Sequence, residues 1–392
     1  MRLLVALLLC VVGVSQSTLP TGTPSAPFPH DAYIWQRAWT PRVIAAAERS
    51  ADLVRSWRVL LAEADARGRW VKVAVPWQAL QATSRPIVGV VRIDGRLDEA
   101  RTTALLDQIA ATIAAAPAVS GVEIDYDCPT SKLASYARFL GALRQRLPAA
   151  LKLSITALPT WMNSRELDRL GVSLDEVVLQ VHAVDDPRRG LFDPEQAERW
   201  IHTFGRRIGR PMRVALPAYD ARVTWRDGRL ASVEGEVPLL TGASGTTLRA
   251  APEAVLALLH RLQRAAPDDL TGIVWFRLPT HADRRTWSLD TWRAVVTDRL
   301  PPAQLSATLV ATDTPNLWTV TLSNDGAVDA ALPHRVVLDA SCETADSANG
   351  FRLVSGTPLA LEAGGGRLRP RGTRVIGWAR CMQPLTHLHV AP

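Results

Sequence analysis

Three carboxylates stand at alternate positions of one short run: Glu123, Asp125 and Asp127, in Ser120-Gly-Val-Glu-Ile-Asp-Tyr-Asp-Cys-Pro129. A strand has a period of two, so these acids share one face while Val122, Ile124 and Tyr126 share the other. Alternate Cα positions lie about 6.5 to 7 Å apart in a strand, close enough for the charges to repel and for proton affinity to rise along the ladder. Carboxylates with raised proton affinity are the groups that transfer protons. The large apolar side chains on the opposite face, and the helical patterns on either side, place this run as a central parallel strand rather than a solvated edge.

The elements around it alternate. Ala32 to Arg37 reads as a first strand, and Pro41 to Ser56 as a helix with Thr40 as N-cap and Pro at the first helical position. Trp57 to Ala62 is a second strand. Two extended runs follow, of which Val71 to Val75 is assigned to an inserted hairpin and Val88 to Ile93 to the third barrel strand. Then come a helix from Asp98 to Ala116, a fourth strand from Gly121 to Asp125, a helix from Ser131 to Leu147 and a fifth strand from Leu151 to Ala157, ending in Leu158-Pro159-Thr160-Trp161. Glu176 to Val181 forms the sixth strand, followed by His182 and the acidic loop Asp185-Asp186-Pro187. A helix from Pro194 to Arg207 leads to the seventh strand, Arg213 to Leu216, which ends in Pro217-Ala218-Tyr219-Asp220. Arg222 to Val237 reads as a hairpin turning at Arg226-Asp227-Gly228. A helix from Pro252 to Ala265, the eighth strand from Gly272 to Phe276, and a helix from Leu289 to Thr297 complete the series. Strand and helix in eightfold alternation predict an α/β fold of the (β/α)8 TIM-barrel type, spanning residues 31–300.

Beyond Pro301-Pro302 the texture changes to short alternating strands separated by turns such as Asn324-Asp325-Gly326 and Gly364-Gly365-Gly366. The strands are Ser306 to Ala311, Trp318 to Leu322, His334 to Leu338, Phe351 to Val354 and Arg374 to Trp378. This predicts a small C-terminal β-sandwich over residues 303–392. At the other end, Leu3 to Val14 is an apolar run after Met1-Arg2, followed by small residues; it is shorter than the roughly 20 residues a bilayer requires and suits a cleaved signal peptide over residues 1–17. Residues 18–30 are then a flexible lead-in, and the protein is expected to be exported, to the periplasm or beyond. Lipidation at Cys10 ranks second, because Leu9 precedes it.

Four cysteines are present. In an oxidising compartment Cys342 and Cys381 could close a loop, whereas Cys128 beside the ladder is expected to stay free. No Cys/His spacing suggests zinc, and no cofactor is expected. The net charge of +7 comes from arginines scattered among acids, without a basic run carrying interleaved aromatics. That excludes a nucleic-acid partner and fits a solvated surface facing an anionic envelope or acidic glycan. No membrane span is expected, and the sequence does not fix the oligomeric state.

Gly121-Val-Glu-Ile-Asp-Tyr-Asp-Cys-Pro129 resembles the signature of the chitinase-like family 18 glycoside hydrolases, Asp-Gly-x-Asp-x-Asp-x-Glu on the fourth barrel strand, with Gly121, Asp125 and Pro129 matching. Asp175 to His182 resembles that family's sixth strand, with Gln180 and His182 where it often has Met and Tyr. Ala215-Leu-Pro-Ala-Tyr219 resembles its seventh, and Gly272 to Phe276 its eighth, where Trp275 or Phe276 takes the place of a Trp at the floor of the sugar site. The barrel also resembles an uncharacterised family of bacterial exported proteins with a Tyr-x-Trp-Gln-Arg start and a Trp-Phe-Arg-Leu-Pro end. In the signature, Ser120 replaces the first Asp, Glu123 the second, and Asp127 the catalytic Glu.

The resemblance implies a substrate-assisted glycosidase mechanism acting on a polysaccharide or oligosaccharide, possible substrates including amino-sugar polymers. Asp127 would be the acid, Asp125 the orienting carboxylate and Glu123 a buried modulator. Independently, the 13 Trp against 4 Tyr and 6 Phe favour a sugar ligand. Trp35, Trp161 and Trp275 fall near expected strand ends, where indole faces stack on pyranose rings. Gln180, His182 and Tyr219 complete the candidate substrate-binding set. Two other readings stand beside this one: a non-catalytic glycan-binding protein and a structural envelope component, both on a degenerate hydrolase barrel.

Overall fold

The computed structural model describes residues 28–95, 97, 99–117, 119–182, 190–226, 229–234 and 245–391. The expected signal peptide, most of the lead-in, the acidic loop at Asp185 and Asp186, and the hairpin turn at Asp227-Gly228 lie outside the described residues.

Eight parallel strands close into a ring: β1 (His30–Ile34), β2 (Ser56–Ala64), β3 (Ile87–Ile93), β4 (Val119–Tyr126), β5 (Lys152–Ala157), β6 (Glu176–Gln180), β7 (Met212–Pro217) and β8 (Leu270–Phe276). Each pairs with its neighbour in sequence. The ring shuts because β1 pairs with both β2 and β8, Asp31 lying opposite Ser56 on one side and Val274 on the other. The fold is the expected TIM barrel.

Helices cover the outside. On β4 the apolar set Val122, Ile124 and Tyr126 is fully buried against the helix Leu133–Arg146, which offers Leu133, Tyr136, Phe139 and Leu140 at helical spacing. The helix Pro194–Ile208 shows how local sequence sets its ends. Asp193 caps it by accepting from the amides of Glu195 and Gln196 at 3.0 Å each, Pro194 occupies the first turn, and Gly209 ends it at φ 57°. Its buried stripe is Ala197, Trp200, Ile201, Phe204 and Ile208.

Some element boundaries differ from expectation. The first helix ends at Ser50, not Ser56, where the Ser50 hydroxyl donates back to the Ala46 carbonyl at 2.5 Å. Thr40 stands at its N-cap position without a side-chain capping bond. The Val71 run contributes the short strand Trp70–Lys72, antiparallel to β2. After β7, strand Asp220–Arg226 pairs with Arg229–Glu234 as expected, and a third strand, Gly245–Arg249, pairs on its other side.

The C-terminal part is an antiparallel sheet that folds over its own core of Leu309, Val320, Val336, Leu361 and Ile376. Strand His387–Ala391 joins the halves, pairing with both Leu305–Ala311 and Arg335–Val337. Five strands escaped the sequence reading: Ala330–Ala331, Cys342–Ser347, Ala360–Ala363, Arg367–Leu368 and His387–Ala391, which carry few of the β-branched residues that mark strands. Cys342 and Cys381, paired across adjacent strands, form a disulfide, and Cys128 is a buried free thiol. The two parts meet through polar contacts. Arg367 donates to Asp220 Oδ1 at 2.8 Å, Arg369 to the Asp283 carbonyl at 2.7 Å, and the Ser288 amide to Asp329 Oδ2 at 2.6 Å.

Candidate active site at the mouth of the barrel

The barrel interior is built in layers, and the acids of β4 occupy successive ones. Lowest is a buried cluster of charge, with Asp31 of β1, Arg58 of β2, Glu123 of β4, Glu176 of β6 and Arg213 of β7. Arg58 pairs with Glu123 and Glu176 and lies 3.2 Å from Asp31, while Arg213 Nε donates to Glu176 Oε2 at 2.7 Å. Gly272 of β8 makes room for it. A Cβ there would run into the Arg213 guanidinium and stand 2.7 Å from the Pro29 carbonyl. Glu123 is further held by the Tyr33 hydroxyl, which donates to Oε1 at 2.6 Å, and by Ser154 Oγ at 3.2 Å. With both oxygens bound and a guanidinium alongside, the Glu123 carboxyl is fixed in place beneath the site.

Asp125 sits one layer up, at the C-terminal end of β4 where barrel active sites lie. Thr156 of β5 donates to its Oδ1 at 2.7 Å, and Gln180 of β6 donates to the same oxygen at 3.4 Å. Burial pushes its proton affinity up to about 7, repulsion from Asp127 and Glu123 adds to the rise, and the Thr156 hydrogen bond and Arg92 oppose it. Asp127, just past the strand, is exposed. Partial desolvation of its carboxyl in the mouth nevertheless raises its proton affinity, with Asp94 adding and Arg92 opposing. Burial is the first cause of both rises, and repulsion along the ladder adds to it at Asp125.

An aromatic cluster stands across from the carboxylates. Phe276, at the end of β8, lies 5.5 Å from His182 with the rings 12° from parallel, 5.3 Å from both Trp35 and Tyr219, and 5.7 Å from Tyr33. His182 packs flat on this ring with Nδ1 3.4 Å from the Ala215 carbonyl. Burial pushes its proton affinity down to about 4, so it is a neutral packing residue rather than a charge-stabilising one near neutral pH. Trp35 lies inside the barrel, 3 % exposed, with its indole N–H unpaired.

Two expected sugar-stacking residues point elsewhere. Trp275, adjacent to Phe276 and so on the opposite face of β8, is buried against Trp287 and Trp292 beneath the helices and donates to His30 Nδ1 at 3.0 Å. Period-two alternation thus gives the inward place to Phe276. Trp161 lies in the 3-10 turn Pro159–Asn163, fully buried against Tyr136, with its N–H donating to the Cys128 carbonyl at 2.8 Å. Both are core. The structure brings together Asp125, Asp127, Gln180, His182, Tyr219 and Trp35, with Glu123 below. Sequence reasoning missed Thr156, Arg92 and the partners of Glu123. The signal for Thr156 was present in Ser154-Ile-Thr156, whose alternation sends both hydroxyls inward beside the acids.

Solved structures share this fold. A chitinase from Chromobacterium violaceum is 16% identical and superposes with a TM-score of 0.50 over 70% of this chain and 99% of its own. The spore cortex-lytic enzymes SleL of Bacillus megaterium and Bacillus cereus are 12% and 14% identical, with TM-scores of 0.52 and 0.51 over 72% and 74% of this chain and 76% and 78% of theirs. At such identities the likeness is one of fold, and it bears out the resemblance to the chitinase-like barrels at that level. No curated protein matches the sequence. Among the described residues no helix is long and apolar enough to cross a membrane. Residues 307–382, in the sandwich, match a second domain of unknown function, DUF8456. Residues 83–281, which run from just before β3 to just past β8 and carry the whole carboxylate ladder, match the domain of unknown function DUF3142, and the protein belongs to that family.

Proposed function

We propose that the protein is a glycoside hydrolase acting on a polysaccharide, including polymers with N-acetylated amino sugars, by carboxylate acid catalysis at the barrel mouth. The observation that carries this reading is the state of Asp125, whose carboxyl is held at the strand end by Thr156 and Gln180 through, among the described residues, one oxygen. Oδ2 is then the oxygen offered to a ligand N–H. In the substrate-assisted route, Asp127 gives its proton to the glycosidic oxygen as the bond from C1 to that oxygen breaks, and the N-acetyl oxygen closes on C1. Asp125 accepts the amide N–H and supports the positive charge. Water then attacks C1, gives its proton to the Asp127 carboxylate, and reopens the ring. The raised proton affinity of Asp127 suits an acid. Phe276 supplies the apolar face on which a pyranose would rest, and Trp35, Tyr219 and Gln180 flank it.

A second reading is motivated by the same residue. Asp127 is a methylene shorter than a glutamate and is exposed, and a misplacement of about 1 Å can cost about 100-fold in rate. A glycan-binding or structural envelope protein would keep the mouth and lose turnover. Hydrolysis of amino-sugar and acidic polysaccharides by wild type and Asp127→Asn separates them: turnover lost on substitution, by about 100-fold or more, supports the enzyme. Binding with no turnover by either protein supports the alternative. We also take the chain to be exported; the disulfide between Cys342 and Cys381 supports an oxidising compartment.

A further inference from the structure

A cleft of about 810 Å3 runs between the barrel and the sandwich, and none of the ladder carboxylates lines it. Nine arginines line it, among them Arg42, Arg249, Arg284, Arg367 and Arg369, against two acids, Asp220 and Asp290. The arginines come from separate parts of the chain: the helix Pro41–Ser50, the three-stranded sheet after β7, the loop after β8, and the Gly364-Gly365-Gly366 turn with the strand that follows it. Such convergence of like charge is unfavourable unless something answers it.

Inside the cleft the charges are under-satisfied. The Arg367 side chain is only 9% exposed; its Nη2 reaches Asp220, but its Nη1 is buried with no partner. Arg249 Nε is likewise buried without a hydrogen bond, and so is Arg369 Nη1, whose nearest acid is Asp329 at 3.7 Å. Asp220 is one carboxylate set among three guanidiniums. Gly365, at φ 107°, permits the crowding, because a Cβ there would lie 2.7 Å from Arg249 Nη2. Buried donors without acceptors are costly, and planar guanidinium forks fit carboxylates and phosphates.

We infer that this cleft binds a segment of an acidic polysaccharide through the carboxylate or phosphate groups that its sugars carry. Its lining holds no Phe, Tyr or Trp, so it offers none of the stacking platforms on which single-stranded nucleic acids rest, and recognition is by charge. The cleft adjoins the mouth: the Tyr219 ring packs on Phe276 inside it, and the next residue, Asp220, lines the cleft. One polymer could therefore lie across both, although binding in the cleft does not depend on the chemistry proposed for the mouth.

The test is binding by the full chain at about 0.15 M salt, where weak surface pairing is screened. Polygalacturonate probes carboxylates, a poly(glycerol phosphate) teichoic acid probes phosphates, and dextran and a single-stranded oligonucleotide serve as comparators. The variant Arg42→Gln/Arg249→Gln/Arg284→Gln removes three cations and leaves the pairing of Arg367 with Asp220 in place; Arg249→Gln alone is the milder version should the triple variant not fold. Tight binding of one acidic polymer, weakened at least about tenfold in the variant, supports the inference and identifies the source of the anion. It is overturned if neither acidic polymer binds better than dextran, if the variant binds as well as wild type, or if the oligonucleotide binds most tightly. Asp127→Asn should bind the acidic polymer normally, so loss of hydrolysis and loss of this site are separate results.

Discussion

Thr156 donates its hydroxyl to Asp125 Oδ1 across 2.7 Å, from the strand paired next to the one that carries the carboxylate. The bond favours the ionised acid, and Gln180 donates to the same oxygen.

Thr156→Val keeps the shape and removes the donor. Proton affinity at Asp125 should then rise above the present value of about 7, because a bond that stabilises the anion is gone. A carboxyl titration followed by NMR, with Asp125 assigned through Asp125→Asn, reads the shift. An unchanged or lower midpoint would contradict the role given to Thr156.

Asp125 also links pH to stability. Its proton affinity is raised on folding, from an ordinary value near 3.8 to about 7, so its contribution is fully present below pH 4 and is lost as pH rises toward 7. Over that window this group lowers wild-type stability by up to about 1.4 kcal/mol per pH unit. Asp125→Asn lacks the slope and should melt higher than wild type at pH 8, with the gap closing by pH 4. Thermal melts of both proteins across this range check the sign.

Arg58 has the opposite standing. It is 2% exposed and holds Asp31, Glu123 and Glu176 together, so Arg58→Met leaves buried anions uncompensated and should cost about 3–5 kcal/mol. Urea denaturation at pH 7 measures the loss, and a midpoint within error of wild type would show that the cluster is not a structural keystone.

Phe276→Ala tests the mouth without touching a charge. It removes the ring on which His182, Tyr219, Trp35 and Tyr33 converge, and stacking surfaces of this kind contribute about 0.5–1.5 kcal/mol beyond burial. Oligosaccharide binding should weaken by about tenfold, whereas Trp275→Phe, a change in the outer shell, should leave it unaltered. Equal effects of the two would mean that the ring acts only through folding.

The sequence and the structure agree most closely where periodicity speaks. Alternation along β4 places the three acids inward, and the repeating strand and helix pattern gives the barrel, because both follow from which face each element buries. The same alternation on β8 separates Phe276 from Trp275. Partners across space were harder. Nothing near Glu123 in sequence announces Arg58 or Tyr33, since those contacts depend on barrel curvature and stagger, and the cleft arginines looked scattered because four segments had to meet before they formed a group.

The seam between β1 and β8, where His30 lies opposite Ile273, bears on how the chain comes to be folded. Until residue 276 is available, β1 has an open edge, and the floor charges contributed by β1, β2, β4, β6 and β7 lie under a ring that has not closed. The barrel's last closing contact is thus among its most distant in sequence, which makes folding slow by topology and leaves incomplete barrels exposed to aggregation. Fragments ending before β8 should therefore aggregate rather than persist as partial barrels, and the sandwich, made afterwards, meets a barrel whose ring has only just been completed.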